Sequence, residues 1–132
     1  MPSTDPIADM FTSLRNAAAV GKRDIAVPAS RLKRDIADVL KAEGFLHEVE
    51  SRGEGVRAEL LLSLKYDQQG APVLRHIQRI SSPGQRLSSS YKDLRRVRQG
   101  LGLALLTTSK GILTDTQARK QKIGGEIIAH VW

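Results

Sequence analysis

The sequence predicts an α+β fold of two small lobes, the first running helix–strand–helix–strand–strand and the second mostly β with a short helix. Three observations predict it. Helical and strand periodicities alternate along the chain. A polar, turn-rich stretch at 67–72 interrupts them near the middle. The charge divides at the same place. The 132 residues carry 21 Lys or Arg against 14 Asp or Glu, a net of +7. Residues 1–66 hold ten basic and ten acidic side chains, whereas residues 67–132 hold eleven basic and four acidic. The lobes are therefore set at 1–66 and 67–132. A chain of this size can bury roughly two-thirds of its unfolded surface, enough for a real core.

The elements follow in order. Asp5 before Pro6 starts a helix, an N-cap acceptor followed by proline at the first helical position. Ile7, Met10, Phe11, Leu14 and Ala18 form its apolar face, and Gly21 ends it. Ile25, Val27 and Pro28 read as a short strand. Ser30 caps a second helix with Leu32, Ile36, Val39 and Leu40 on one face, ended by Gly44. Arg31, Lys33 and Arg34 fall on or near its outer side. Residues 45–50 read as a strand and 52–55 as a turn. Period-two alternation over 56–66 then gives the partner strand of a hairpin.

The second lobe is built of shorter pieces. Residues 73–80 read as a strand with Arg75 and Arg79 on one side, and Ser82-Pro83-Gly84 as a turn. Residues 86–88 are a brief strand. Ser90, with Asp93 three residues on, caps a short helix, and Arg95, Arg96 and Arg98 follow. Residues 101–107 are a buried strand, and Ser109-Lys110-Gly111 is its turn. Thr114 caps a helix through Lys122, Gly124-Gly125 ends it, and 127–132 is the last strand.

Composition excludes several classes of function. There is no cysteine, hence no disulfide, thiolate metal site or cysteine nucleophile, which fits a reducing cytoplasm. The longest apolar runs are four residues, far short of the about 20 a membrane span needs. The opening MPSTDPIADM has two acids and no basic region, unlike a secretory signal. His47, His76 and His130 lie far apart, with no carboxylate at a ligand spacing, so no metal site is expected. Gly100-Leu101-Gly102 lacks the third glycine of a dinucleotide fingerprint, since position 105 is Leu. Thr107-x-x-Lys110 lacks the serine and partner motifs of a penicillin-binding site. Asp115 and Glu126 have no base paired with them. Neither an enzyme nor a cofactor is expected.

What remains is a basic second half in a chain of pI near 10.1, the footprint of a polyanion binder. Aromatics are only 4%, too few for a broad stacking surface. Thr107, Thr108 and Ser109 bring three hydroxyls in a row to a turn closed by Lys110 and Gly111. Hydroxyls donate and accept at base edges and ribose 2′-hydroxyls. Lys110 can meet a phosphate, and Gly111 lets the backbone approach closely. Two other readings stay open: a free regulator of messenger RNA, and a small hydrolase using Ser109 or Glu126.

Thr107-Thr108-Ser109-Lys110-Gly111, Thr114-Asp115, Ala118-Arg119, Gly124-Gly125-Glu126 and Val131-Trp132 resemble the signature of small ribosomal subunit protein eight, in its bacterial or organellar form. Asp5-Pro6-Ile7-Ala8-Asp9-Met10, Leu14-Arg15-Asn16-Ala17, Val27-Pro28-Ala29-Ser30 and Arg79-Ile80-Ser81-Ser82-Pro83-Gly84 match it too, so the resemblance spans essentially the whole chain. It implies a cytoplasmic structural protein of the ribosome that binds the central domain of 16S ribosomal RNA and acts early in assembly of the 30S platform. It further implies neighbours among small-subunit proteins, expected to be proteins five and twelve, no obligate homo-oligomer, and repression of its own message. Carried over by residue, the RNA-binding set is Thr107, Thr108, Ser109, Lys110, Gly111 and Glu126, with Arg86, Ser88, Tyr91 and Lys33 beside it. Three positions depart from the family pattern. Ser88 stands where the family has tyrosine, with Tyr91 nearby but out of register. Arg95 replaces a proline. Thr107 replaces a serine and keeps its hydroxyl.

Overall fold

A computed structural model describes residues 5–132, so the first four residues of the opening read above lie outside the described residues. The described residues form three α-helices and two antiparallel sheets, an α+β fold. It divides into two compact units, one of residues 7–75 and one of residues 76–132 with Asp5 and Pro6.

In the first unit, helix α1 (Pro6–Ala19) buries Ile7, Met10, Phe11, Leu14 and Ala17. Ala17, rather than the expected Ala18, closes the stripe. Strand β1 (Asp24–Pro28) buries Ile25 and Val27. Helix α2 (Arg31–Ala42) begins at Ser30, whose hydroxyl accepts the Lys33 N–H at 3.2 Å. Strands β2 (Leu46–Arg52) and β3 (Glu59–Leu64) complete a sheet of order β1-β3-β2. The alternation expected over 56–66 holds only in β3, where Leu60, Leu62 and Leu64 are buried. Val56 instead lies fully exposed in a 3-10 turn at Gly55–Arg57.

The inner face of α2 keeps the expected Ile36 and Leu40 but has Lys33 and Ala37 in place of the expected Leu32 and Val39. Leu32 is 43% exposed. Lys33 is 6% exposed, and its Nζ donates to the Pro28 carbonyl at 2.9 Å. This corrects the expectation of Lys33 as an outward contact with RNA: its stem fills the core and its head ties α2 to the edge strand. Pro28 has no N–H, and on edge strand β1 that removes no ladder bond.

The expected division at 66/67 falls instead at 75/76. Residues 67–75 fold back on the first unit. Asp67 Oδ1 accepts the N–H groups of Gln69 and Ala71, Tyr66 bridges to Pro72, and the Val73 N–H donates to Lys65 at 2.9 Å. The strand expected at 73–80 shortens accordingly to β4 (Ile77–Arg79).

The second unit is a sheet of order β4-β8-β6-β7, with β5 (Ser88–Ser89) also on β8 (Gly125–Val131). Strand β6 (Leu103–Thr108) is buried over its first four residues and turns into β7 (Gly111–Thr114), a strand the sequence reading did not separate from the turn. Thr114 then caps α3 (Asp115–Gln121) with a capping box to Gln117. Arg79 Nε meets Asp5 Oδ2 at 3.1 Å, which ties residue 5 into this unit. The helix expected after Ser90 is absent. Ser90 Oγ does bond Asp93 Oδ2 at 3.0 Å, but it closes only a turn. Leu94 and Val97 then dive into a core with Ala104, Leu106 and Ala118, and that anchoring replaces helical continuation.

Candidate nucleic-acid interface

The β6–β7 hairpin builds the expected turn. Thr108 pairs with Gly111 across it. The Thr108 hydroxyl donates to the Gly111 carbonyl at 2.8 Å and accepts the Lys110 N–H at 3.1 Å. Gly111 has φ +96°, which a side chain would strain. Thr108 has thus spent its single O–H donor inside the turn, contrary to a donor role at a base edge. Ser109 and Lys110 are exposed, and their side chains have no hydrogen-bond partner among the described residues. They are the groups the turn presents.

One rung of the sheet carries three more of the expected residues. Ser88 pairs with Glu126, and Glu126 pairs with Thr107 on its other side. Directly opposed residues share a face, so Ser88, Glu126 and Thr107 stand together. The Glu126 side chain is only 18% exposed, and both its oxygens accept from Arg86 Nη1 at 3.2 Å. Arg86 itself is 66% exposed, so this ion pair contributes little stability and mainly orients the carboxylate. Strand β5 begins two residues after Arg86, which places that guanidinium at the rim of the rung.

By local pattern Gly124 and Gly125 read as a helix end, and by resemblance as part of the family signature. In the fold they set the width of the site. A Cβ on Gly125 would collide with the Thr107 carbonyl oxygen and sit 2.9 Å from Thr108 Cγ2. A Cβ on Gly124 would fall 2.5 Å from the Ser89 carbonyl oxygen and 2.9 Å from Ser90 Cα. Only a bare backbone lets the serine segment and the hydroxyl segment close on β8 from both sides. A Gly-Gly step next to a strand is the signal that could have shown this.

Tyr91 is half-buried against the core of Leu94, Val97 and Leu106, with Lys92 Nζ 5.9 Å from its ring. Its ring packs inward. Lys33 belongs to the other unit and is buried there, so it is not among the residues brought together. The second unit, counted with Asp5, carries ten basic and four acidic side chains, a net of +6. Arg95, Arg96, Arg98, Lys120 and Lys122 are all exposed. Arg98 and Gln99 adopt left-handed φ of 50° and 56°, and Arg98 lies 4.6 Å over the Trp132 ring, which His76 stacks from 5.0 Å. Burial pushes the His130 imidazole below its ordinary pKa, partly offset by the Asp115 carboxylate.

Among the described residues this arrangement holds no nucleophile–base pair. Ser109 lacks a partner that could take its proton, and the Glu126 carboxylate is held by Arg86. It offers hydroxyls, a lysine and a positive field around one carboxylate, a chemistry suited to a ribose–phosphate chain. A family model described as Ribosomal protein S8 matches residues 5–132. Proteins named small ribosomal subunit protein uS8 are similar over all of this chain and all of their own length. That of Synechococcus elongatus is 49% identical over 133 residues, that of Crocosphaera subtropica 48%, and that of Thermosynechococcus vestitus 45%.

Proposed function

The chain belongs to the ribosomal protein S8 family, and on that premise we propose that it binds the central domain of 16S ribosomal RNA through the β6–β7 turn and the Ser88–Glu126–Thr107 rung. Membership makes it a structural constituent of the small ribosomal subunit in the cytoplasm, working with ribosomal RNA and other ribosomal proteins in translation. The finer reading is a non-enzymatic primary binder that enters early and helps to build the 30S platform. Proteins five and twelve of the small subunit are its neighbours in this reading. An RNA that imitates the site would let it repress its own message.

The observation that carries the reading is the convergence, on one region of the basic unit, of Ser88, Thr107, Ser109, Lys110 and Glu126 across the Gly124-Gly125 step. Ser109 and Ser88 supply hydroxyls to base edges or riboses, and Lys110 supplies a phosphate contact. Glu126 accepts from a base amine or a ribose hydroxyl, and Arg86 keeps it oriented. The test is binding of the full chain to a 16S central-domain transcript and to an unrelated structured RNA, with co-sedimentation with small subunits at high salt. Preference for the central domain, lost in Ser109→Ala, supports the reading. Equal affinity for both RNAs, or failure to sediment with the subunit, overturns it.

A further inference from the structure

We infer that a second RNA phosphate segment docks in the groove beside Arg96 and Arg119, at the opposite end of β6 from the Ser109–Lys110 turn. This rests on the RNA-binding reading above. The groove has a volume of about 380 Å³ and is lined by Arg96, Gly100, Gly102, Asp115, Thr116 and Arg119.

Its charges do not cancel internally. Asp115 is buried, and both its oxygens are engaged. One accepts the Ala104 N–H at 3.1 Å, the other the Arg119 Nη2 at 2.8 Å. That bond uses one arm of the Arg119 guanidinium. The other, Nη1, is buried without a hydrogen-bond partner among the described residues. A buried N–H left unmatched is unfavourable, and a rotation of the guanidinium toward an acceptor held in the groove relieves it. Arg96 is exposed and has neither a hydrogen bond nor an ion pair among the described residues. Two arginines therefore line the groove with one carboxylate that is already satisfied.

The chemistry is that of an oxyanion site. A guanidinium fork matches phosphate oxygens, the exposed Thr116 can add a hydroxyl, and Gly100, where an added Cβ would meet nothing, keeps one wall low. The surroundings favour a chain of phosphates over a single anion. Arg95 and Arg98 flank Arg96 and are exposed, in a unit of net charge +6. Gly102 and Ser109 are seven residues apart along β6, a span of about 23 Å in an extended strand. One nucleotide cannot serve both ends. The groove and the turn thus hold separate RNA segments, and each raises the effective concentration of the other.

The test compares wild-type chain with Arg96→Ala, Arg96→Lys, Arg119→Lys, Lys110→Ala and the double variant Arg96→Ala/Lys110→Ala. A 16S central-domain transcript is bound at several salt concentrations and footprinted with hydroxyl radicals. Arg96→Ala is expected to weaken binding about 3- to 10-fold and to lower the salt slope by about 0.7–0.9. Arg96→Lys should restore the slope. Arg119→Lys keeps a cation beside Asp115 but removes Nη1, and a matching loss with an unchanged melting midpoint supports the fork. The nucleotides exposed by Arg96→Ala should differ from those exposed by Lys110→Ala, and the two losses should multiply. The inference is overturned if wild-type chain binds while Arg96→Ala keeps both affinity and slope, as it would if the groove served an acidic protein segment. It is also overturned if both variants expose the same nucleotides. A wild-type chain that does not bind the transcript overturns the RNA-binding reading itself.

Discussion

Thr108 and Gly111 oppose each other at the last rung of the β6–β7 hairpin, and the Thr108 hydroxyl donates to the Gly111 carbonyl while accepting the Lys110 N–H. The hydroxyl is an internal brace of the turn. Thr108→Val keeps the branched shape and the strand preference and removes both bonds, each worth about 0.5–1.5 kcal/mol. The expected result is faster amide exchange at Lys110 and a loss of global stability of about 1–3 kcal/mol at most. Ser109→Ala should leave that exchange rate unaltered. Equal protection of Lys110 in wild-type and Thr108→Val protein would show that the turn stands without its brace.

Ser109 and Lys110 should separate cleanly in RNA binding. Ser109→Ala is expected to cost roughly 1–3 kcal/mol on cognate RNA, because a desolvated partner loses its hydrogen bond, and almost nothing on non-cognate RNA. Lys110→Ala should weaken both and reduce the salt slope by about one unit. For wild-type chain making about five phosphate contacts, affinity should fall up to several hundred-fold between 50 and 200 mM salt. Titrations of both RNAs at two salt concentrations read all three effects. A salt-insensitive affinity would remove the polyanion argument.

The sequence made the order of elements legible because each signal was local. Asp5-Pro6, Ser30 and Thr114 announced their helices, and apolar spacing announced α1 and β6. The hydroxyl–lysine turn was legible for the same reason. What escaped depends on distant partners. Lys33 looked outward by composition, and only the Pro28 carbonyl five residues back explains its burial. The segment after Ser90 has a helix start, yet Leu94 and Val97 are drawn into a core formed with β6 and α3. The lobe boundary moved because Lys65 holds Val73 in a backbone pairing that no local pattern encodes. The role of Gly125 is visible only once Thr107 and Thr108 lie beside it.

His130 gives the fold a mild pH dependence. Its pKa lies below the ordinary value of 6.5 in the folded chain because burial disfavours the charged ring. The unfolded chain therefore binds more protons between the two pKa values, and stability falls as pH drops below about 6.5. Urea midpoints at pH 7.5 and 5.5 should differ in wild-type protein and converge in His130→Gln. Glu48, whose carboxylate is held below its ordinary 4.5 chiefly by the Lys41 hydrogen bond, acts only below that value and leaves this window clear. A midpoint that rises on acidification to pH 5.5 would reverse the assigned sign.

Gly125 is the position where stability and function should fail together. Strand β8 has β5 on one side and β6 on the other, and at residue 125 the neighbours are Ser89, the Thr107 carbonyl and the Thr108 methyl. A methyl group there meets main chain, which cannot rotate away as a side-chain tip would. Gly125→Ala must push β6 from β8 at the base of the turn, an overpacking expected to cost about 1–3 kcal/mol. Gly124→Ala should act from the other side, through Ser89 and Ser90. Gly84→Ala is the control, since nothing lies within 4 Å of its added Cβ, and it should be near neutral. Chemical denaturation ranks the three variants, and RNA titration at a temperature where each is folded isolates the effect on the site. Displacement of Thr107 from Glu126 should lower cognate affinity even in fully folded Gly125→Ala. Wild-type affinity in that variant would mean that the close approach of β6 to β8 serves packing alone.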